Sequence, residues 1–117
     1  MKVLIVDDAL FIRKTLKMML EKDGYEVVGE GGNGLEGILK YKELQPDLVT
    51  MDITMPQMDG LTALKAIKKI NSSAKVVMIT AMGHETTVKE AMLSGASGFI
   101  VKPFVQEQVL RGLSAFK

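Results

Sequence analysis

Three carboxylates, a hydroxyl and an ammonium group each follow a short apolar run in this chain. Asp7 and Asp8 close Val3-Leu4-Ile5-Val6, Asp52 closes Leu48-Val49-Thr50-Met51, Thr80 ends Val76–Ile79, and Lys102-Pro103 follows Phe99-Ile100-Val101. Gathered at one edge, the carboxylates could not stand bare, because two unit charges about 5 Å apart repel by roughly 3 kcal/mol at an effective dielectric near 20. Either one carboxyl keeps its proton or a hard divalent cation sits among them. Mg²⁺ characteristically takes one or two carboxylates while keeping waters and room for a phosphate. A lysine at the rim supplies a point charge suited to phosphoryl oxygens. The chemistry this set supports best is phosphoryl transfer to a carboxylate, with Asp52 as the nucleophile.

Taken singly, each residue has a plain structural use. Asp8 ahead of a helix could be an N-cap, Asp52 a turn former, Thr80 a strand residue and Lys102 a solvated charge; only their joint placement argues for a site. The nine methionines serve mainly as core filler, with Met82 and Met92 suited to an adaptable binding surface.

The elements that must position these groups follow from periodicity. Val3–Val6, Glu26–Val28, Leu48–Met51, Val76–Ile79 and Phe99–Val101 read as strands, and their continuous apolar character is that of a parallel sheet covered on both faces. Between them, Ala9–Lys22, Gly34–Leu44, Gly60–Ile70, His84–Ser94 and Val105–Phe116 read as helices, with stops at Asp23-Gly24, Gln45-Pro46 and Gly95. Five strands alternating with five helices predict a doubly wound (βα)₅ fold over residues 1–117, a single domain with no output domain after the fifth helix. In such a sheet ligands bind beyond the carboxyl ends of the strands, which is where Asp7, Asp8, Asp52, Thr80 and Lys102 fall.

Composition narrows the function further. With 117 residues, 47% hydrophobic and 25% charged, the chain can bury one core without disulfides or a structural metal. There is no cysteine, which excludes thiolate metal sites and a cysteine nucleophile. A formal net charge of +1 lacks the basic excess of a nucleic-acid-binding domain. No apolar run approaches the roughly 20 residues of a membrane helix, so a cytoplasmic protein without membrane insertion is expected. The lone His84 leaves any metal chemistry to oxygen ligands.

Four separated motifs, Val3–Asp8, Asp47-Leu-Val-Thr-Met-Asp52-Ile-Thr54-Met-Pro56-Gln-Met-Asp-Gly60, Val76–Thr80-Ala81 and Phe99-Ile-Val-Lys102-Pro103-Phe104, resemble the response-regulator receiver family over essentially the whole chain. Met51–Pro56 and Ala81-Met82-Gly83 are most similar to its stand-alone chemotaxis members. The resemblance implies a flavodoxin-like three-layer α/β fold with sheet order 2-1-3-4-5. It also implies Asp52 as acceptor of a phosphoryl group from a histidine kinase, and Mg²⁺ held by Asp8, Asp52 and the backbone carbonyl of Thr54 directly and by Asp7 through water. Lys102 would pair with the phosphate, Thr80 would swing its hydroxyl onto it, and Phe99 would turn into the space opened. The implied output is phosphorylation-dependent binding by a monomer, to a flagellar motor switch component, through a surface including Val88, Phe99 and Val101. Two departures matter. Phe99 lacks the hydroxyl of the tyrosine many members carry there. Thr54 and Met82 hold the positions, two beyond Asp52 and Thr80, that in the family tune water attack on the acyl phosphate.

Three other readings compete. Gly29-Glu-Gly31-Gly-Asn-Gly34 matches G-x-G-x-x-G, but it follows the second strand and is read as a Gly-rich turn opening the second helix. An aspartyl-phosphate hydrolase would want an acid two residues after its nucleophile, where this chain has Thr54. A phosphorelay intermediate or the receiver of another two-component pathway would share every motif.

Overall fold

Strands of four to six residues pair in parallel in the computed structural model, which describes residues 1–117. The strands are β1 (Lys2–Val6), β2 (Glu26–Gly31), β3 (Leu48–Met51), β4 (Val76–Thr80) and β5 (Gly98–Val101), ordered β2-β1-β3-β4-β5 as the resemblance implied. Helices α1 (Leu10–Lys22), α2 (Gly34–Leu44), α3 (Gly60–Ile70), α4 (Glu85–Leu93) and α5 (Gln106–Leu113) connect them, and a 3₁₀ turn (Ser114–Phe116) follows. The expected fifth helix over Val105–Phe116 is therefore broken at Ser114, and α4 is one residue shorter at each end than expected.

Strand alternation divides the core into two layers. Leu4, Val6, Val49, Met51 and Met78 meet Ala63, Leu64 and Ile67 of α3 and Ala91 of α4 on one face. Val3, Ile5, Leu48, Val77 and Ile79 meet Leu16 and Leu20 of α1 and Val109 and Leu113 of α5 on the other. Burial on both faces, expected for all five strands, holds for β3, β4 and β1 beyond Lys2. Edge strands β2 and β5 are only half-buried along most of their length, because each has a strand neighbour on one side alone.

Side chains at the helix starts explain the sharpest boundaries. Asn33 caps α2 by accepting the Glu36 N–H at 2.9 Å, and Glu36 returns to accept the Gly32 N–H at 2.7 Å. Asp59 caps α3 through the Thr62 N–H at 2.8 Å. His84, at the N-cap of α4, provides no side-chain cap, and Ala91 is the helix's one fully buried residue.

The expected Gly-rich turn is corrected. Gly29 and Gly31 lie within β2, paired with Leu4 and Val6 of β1. Their missing side chains make room for the second helix: a Cβ on Gly29 would lie 2.6 Å from a Leu44 methyl, and one on Gly31 would lie 3.3 Å from the Gly37 amide nitrogen. Close helix packing, and not an anion-cradling loop, accounts for these glycines.

Thr50 is the polar exception in the core. It sits on β3 between Ile5 and Val77, 1% exposed, and its hydroxyl has no hydrogen-bond partner. An orphaned buried group costs about 1–3 kcal/mol, so Thr50→Val, which keeps the shape, should stabilise the protein by about 1 kcal/mol. In a chain of this length the thermal midpoint should rise by about 3–5 °C, as followed by circular dichroism; an unchanged or lower midpoint would show that the hydroxyl is satisfied in solution.

Candidate functional site

Parallel pairing of β1 with both β2 and β3 makes the carboxyl end of β1 the place where the strand order turns back. Asp7 and Asp8 emerge there, and Asp52 emerges beside them from β3, its N–H donating to the Val6 carbonyl at 3.0 Å. One carboxylate oxygen from each of the three lies within 4.8 Å of the others, with Asp7 and Asp52 buried and Asp8 exposed. Lys102 reaches in from the end of β5 and donates to Asp7 Oδ2 at 2.7 Å and to Asp52 Oδ2 at 3.0 Å. Its own backbone N–H is fixed to the Thr80 carbonyl at 2.8 Å, which ties the ends of β4 and β5 together. The Lys102-Pro103 peptide bond is cis.

The same geometry disposes of the capping reading for Asp8. The N-cap of α1 is Ala9, and its N–H is served by Asp7 Oδ1 at 2.9 Å. The Asp8 carboxylate is left exposed, with no hydrogen bond inside the protein.

Burial pushes the Asp7 carboxyl above its ordinary value, against the opposing hydrogen bonds from Lys102 and Ala9. Burial by itself would lower Lys102, but its hydrogen bonds to Asp7 and Asp52 more than reverse this and raise it. The ammonium form is the one the site selects.

Behind Asp52 the chain turns tightly. The Gly60 N–H donates to the Ile53 carbonyl at 2.7 Å, and a Cβ on Gly60 would run into the Asp52 carbonyl. Only glycine lets α3 start this close to Asp52. Across the mouth, exposed Thr54 donates its hydroxyl to Met82 Sδ at 2.9 Å, and the Met82 N–H donates to Thr80 Oγ1 at 3.3 Å. Thr80 is 1% exposed and makes no hydrogen bond to Asp52.

The structure thus gathers Asp7, Asp8, Asp52 and Lys102, with Thr54, Thr80 and Met82 at the rim. The remaining candidates lie apart from this cluster. Phe99 is half-buried against the α2–α4 side of the core, Val88 is half-buried on α4, and Val101 is 40% exposed. Val101 leans over Gly83, whose absent Cβ would stand 2.9 Å from its methyls. Met92 is exposed on α4, as expected of a surface methionine.

Sequence reasoning passed over Arg13. Its Nη1 donates to the Asp7 carbonyl at 2.6 Å and its Nε to Glu30 Oε1 at 3.0 Å. An arginine on an amphipathic helix reads as solvated, and the only available signal is that α1 folds residue 13 back over the loop it follows.

A family model described as the response regulator receiver domain matches residues 3–114. The chain is 53% identical over 113 residues to the chemotaxis protein CheY of Bacillus subtilis, covering 97% of this chain and 94% of that protein. It is 54% identical to the chemotaxis protein CheY of Thermotoga maritima over the same length and with the same coverage. Among solved structures it matches a chain in the CheX-CheY-BeF3-Mg+2 complex from Borrelia burgdorferi with a TM-score of 0.96 and 41% identity, covering 99% of this chain and 89% of that one.

Proposed function

The chain belongs to the response regulator receiver family, and from that premise we propose that it is a single-domain switch phosphorylated on Asp52 by a histidine kinase in a Mg²⁺-dependent reaction. The observation that carries this reading is Lys102 held between the carboxylates of Asp7 and Asp52 with Asp8 open beside them.

Three carboxylates against one ammonium leave an excess of two negative charges, and every available donor is a hard oxygen. That is the donor set of Mg²⁺. Asp8, Asp52 and the Thr54 carbonyl would hold the ion directly and Asp7 through water; when bound, it offsets charge on the phosphoryl oxygens. The residues do the rest. An Asp52 carboxylate oxygen attacks phosphorus, an O–P bond forms, and the P–N bond to the donor's imidazole breaks, leaving its electron pair on nitrogen. Lys102 moves part of its hydrogen bonding from carboxylate to phosphoryl oxygen. The Thr80 hydroxyl, engaged here only as an acceptor, turns to donate to the same group. A phosphoryl group adds about −1.5 to −2 charge and three acceptor oxygens, which is what drives both reorientations.

Phe99, Val88 and Val101 lie along β5 and α4, beside Thr80, and form the surface through which the switch is read. The output partner is a protein, a flagellar motor switch component in a chemotaxis pathway, and the site of action is the cytoplasm. The similarity to CheY proteins supports this output, and no helix is long and apolar enough to cross a membrane.

Intact-mass spectrometry after incubation with acetyl phosphate and Mg²⁺ tests the chemistry. One phosphoryl adduct that disappears when the metal is chelated is expected; no adduct with metal present would overturn the reading.

The mouth of the site sets a further expectation. Thr54 and Met82 are engaged with each other, and a thioether accepts hydrogen bonds only weakly, so neither group orients a water for attack. Met82→Glu should shorten the phosphoryl lifetime at least several-fold by supplying a carboxylate that can. Loss of the adduct followed over time reads this directly, and equal or slower decay would count against it.

A further inference from the structure

We propose that Arg13 is a positioning residue for the metal-binding carboxylates, an inference that rests on the receiver reading above. Helix side chains lean toward the N-terminus, so from the first full turn of α1 the guanidinium reaches back over Ala9 to the β1–α1 loop. Its planar fork holds two acceptors at once: the Asp7 carbonyl at 2.6 Å and Glu30 Oε1 on β2 at 3.0 Å. The arginine side chain is 18% exposed and the glutamate 30%.

The carbonyl in question belongs to the peptide that joins Asp7 to Asp8. Asp7 is already fixed by its N–H to the Gly31 carbonyl at 2.9 Å, by Ala9 at its Oδ1 and by Lys102 at its Oδ2. Asp8 has no such support. Its carboxylate is exposed and makes no hydrogen bond, so its direction is set by the backbone alone, through the peptide that Arg13 clamps. Glu30 serves in turn to hold the arginine and to balance its charge.

The direction of the effect separates positioning from electrostatics. Removing a cation near a site for Mg²⁺ strengthens Mg²⁺ binding on Coulombic grounds alone. Releasing the peptide that aims Asp8 weakens it, and outer partners of metal ligands typically contribute about 10–100-fold in affinity. Positioning therefore predicts a loss where simple charge removal predicts a gain.

Mg²⁺ titration calorimetry of wild type, Arg13→Ala and Glu30→Gln decides between them, with a thermal melt of each in the absence of metal. Arg13→Ala should bind Mg²⁺ about tenfold or more weakly, with labelling by acetyl phosphate restored at saturating Mg²⁺. Glu30→Gln, which keeps an acceptor for Nε, should stay within a few-fold of wild type. Arg13→Gln, too short to span both partners, replaces the alanine variant if that fails to fold. Unchanged or tighter binding by a folded Arg13 variant overturns the assignment while leaving the receiver chemistry intact. If wild type itself shows neither Mg²⁺ binding nor an adduct, the receiver reading falls, and the role of Arg13 with it.

Discussion

Asp52→Asn will carry no phosphoryl adduct after incubation with acetyl phosphate and Mg²⁺, under conditions that label the wild-type protein. An amide oxygen lacks the negative charge of a carboxylate and cannot serve as the nucleophile. The substitution is nearly isosteric, and its oxygen can still accept the Ile53 N–H that Asp52 Oδ1 now accepts at 2.7 Å. The backbone at this position, pinned to Val6 through its N–H and pressed against Gly60 through its carbonyl, does not depend on the side chain. Loss of labelling in a variant that melts cooperatively, like wild type, therefore isolates the carboxylate. An adduct of the same mass on Asp52→Asn would move the acceptor to Asp7 or Asp8, which peptide mapping would locate.

Lys102→Ala produces the second large effect, and it differs with and without metal. Asp7 and Asp52 are 2% and 6% exposed, and Lys102 is the only ammonium hydrogen-bonded to them. Breaking a buried pair costs about 3–5 kcal/mol; since this site opens to water beside Asp8, roughly 2–4 kcal/mol is expected without divalent cation. Mg²⁺ should bind this variant at least as tightly as wild type, because a competing cation is gone, and the gap in thermal midpoint should narrow as Mg²⁺ is added. Phosphorylation-dependent partner binding should weaken, since no ammonium remains to follow the phosphoryl group. A metal-free midpoint equal to wild type, or a fully phosphate-dependent partner response, would remove Lys102 from these roles.

The pH dependence of the wild-type protein has the same origin. Lys102 is raised in the folded state, so its stabilisation is complete below its ordinary value of 10.5 and is lost as pH climbs through the higher folded value. Asp7 is also raised, by burial, so its favourable contribution is present below 3.8 and fades as pH rises through its folded value. At neutral pH the Asp7 carboxylate is therefore a standing cost that Lys102 offsets. Metal-free melts should show stability falling in strong alkali, and that fall should shrink in the Asp7→Asn, Asp52→Asn double variant, where nothing remains to raise Lys102; an alkaline limb unchanged in that variant would assign it to other groups.

Much of this was legible in the residues because local signals agreed. Helices α2 and α3 begin and end where the spacing placed them, since Asn33 and Asp59 are strong caps and Pro46 follows the end of α2. The strand-end residues were found because a parallel sheet sends them all to one edge. Strand β2 was read too short because glycine marks turns more often than strands, and only the approach of α2 explains Gly29 and Gly31. A capping use stayed open for Asp8 beside the metal-binding one, because proximity to a helix start cannot reveal that its neighbour Asp7 serves the first turn. Arg13 was invisible for a related reason: its acceptor is a backbone carbonyl, which every residue carries and no motif encodes.

Helix α4 is held to the protein by one fully buried side chain, Ala91, and lacks a side-chain cap at His84. Its amide protons should therefore exchange with solvent well before those of β1, β3 and β4, whose side chains are almost entirely buried. A partner that docks on this helix must quiet it as well as cover it, so its association should be enthalpy-driven and opposed by entropy, with a heat-capacity change more negative than the contact area alone accounts for. If the proposed output surface includes α4, it is a thermometer as much as a switch: its affinity should fall steeply on warming while phosphoryl chemistry at the rigid strand ends keeps its ordinary temperature dependence.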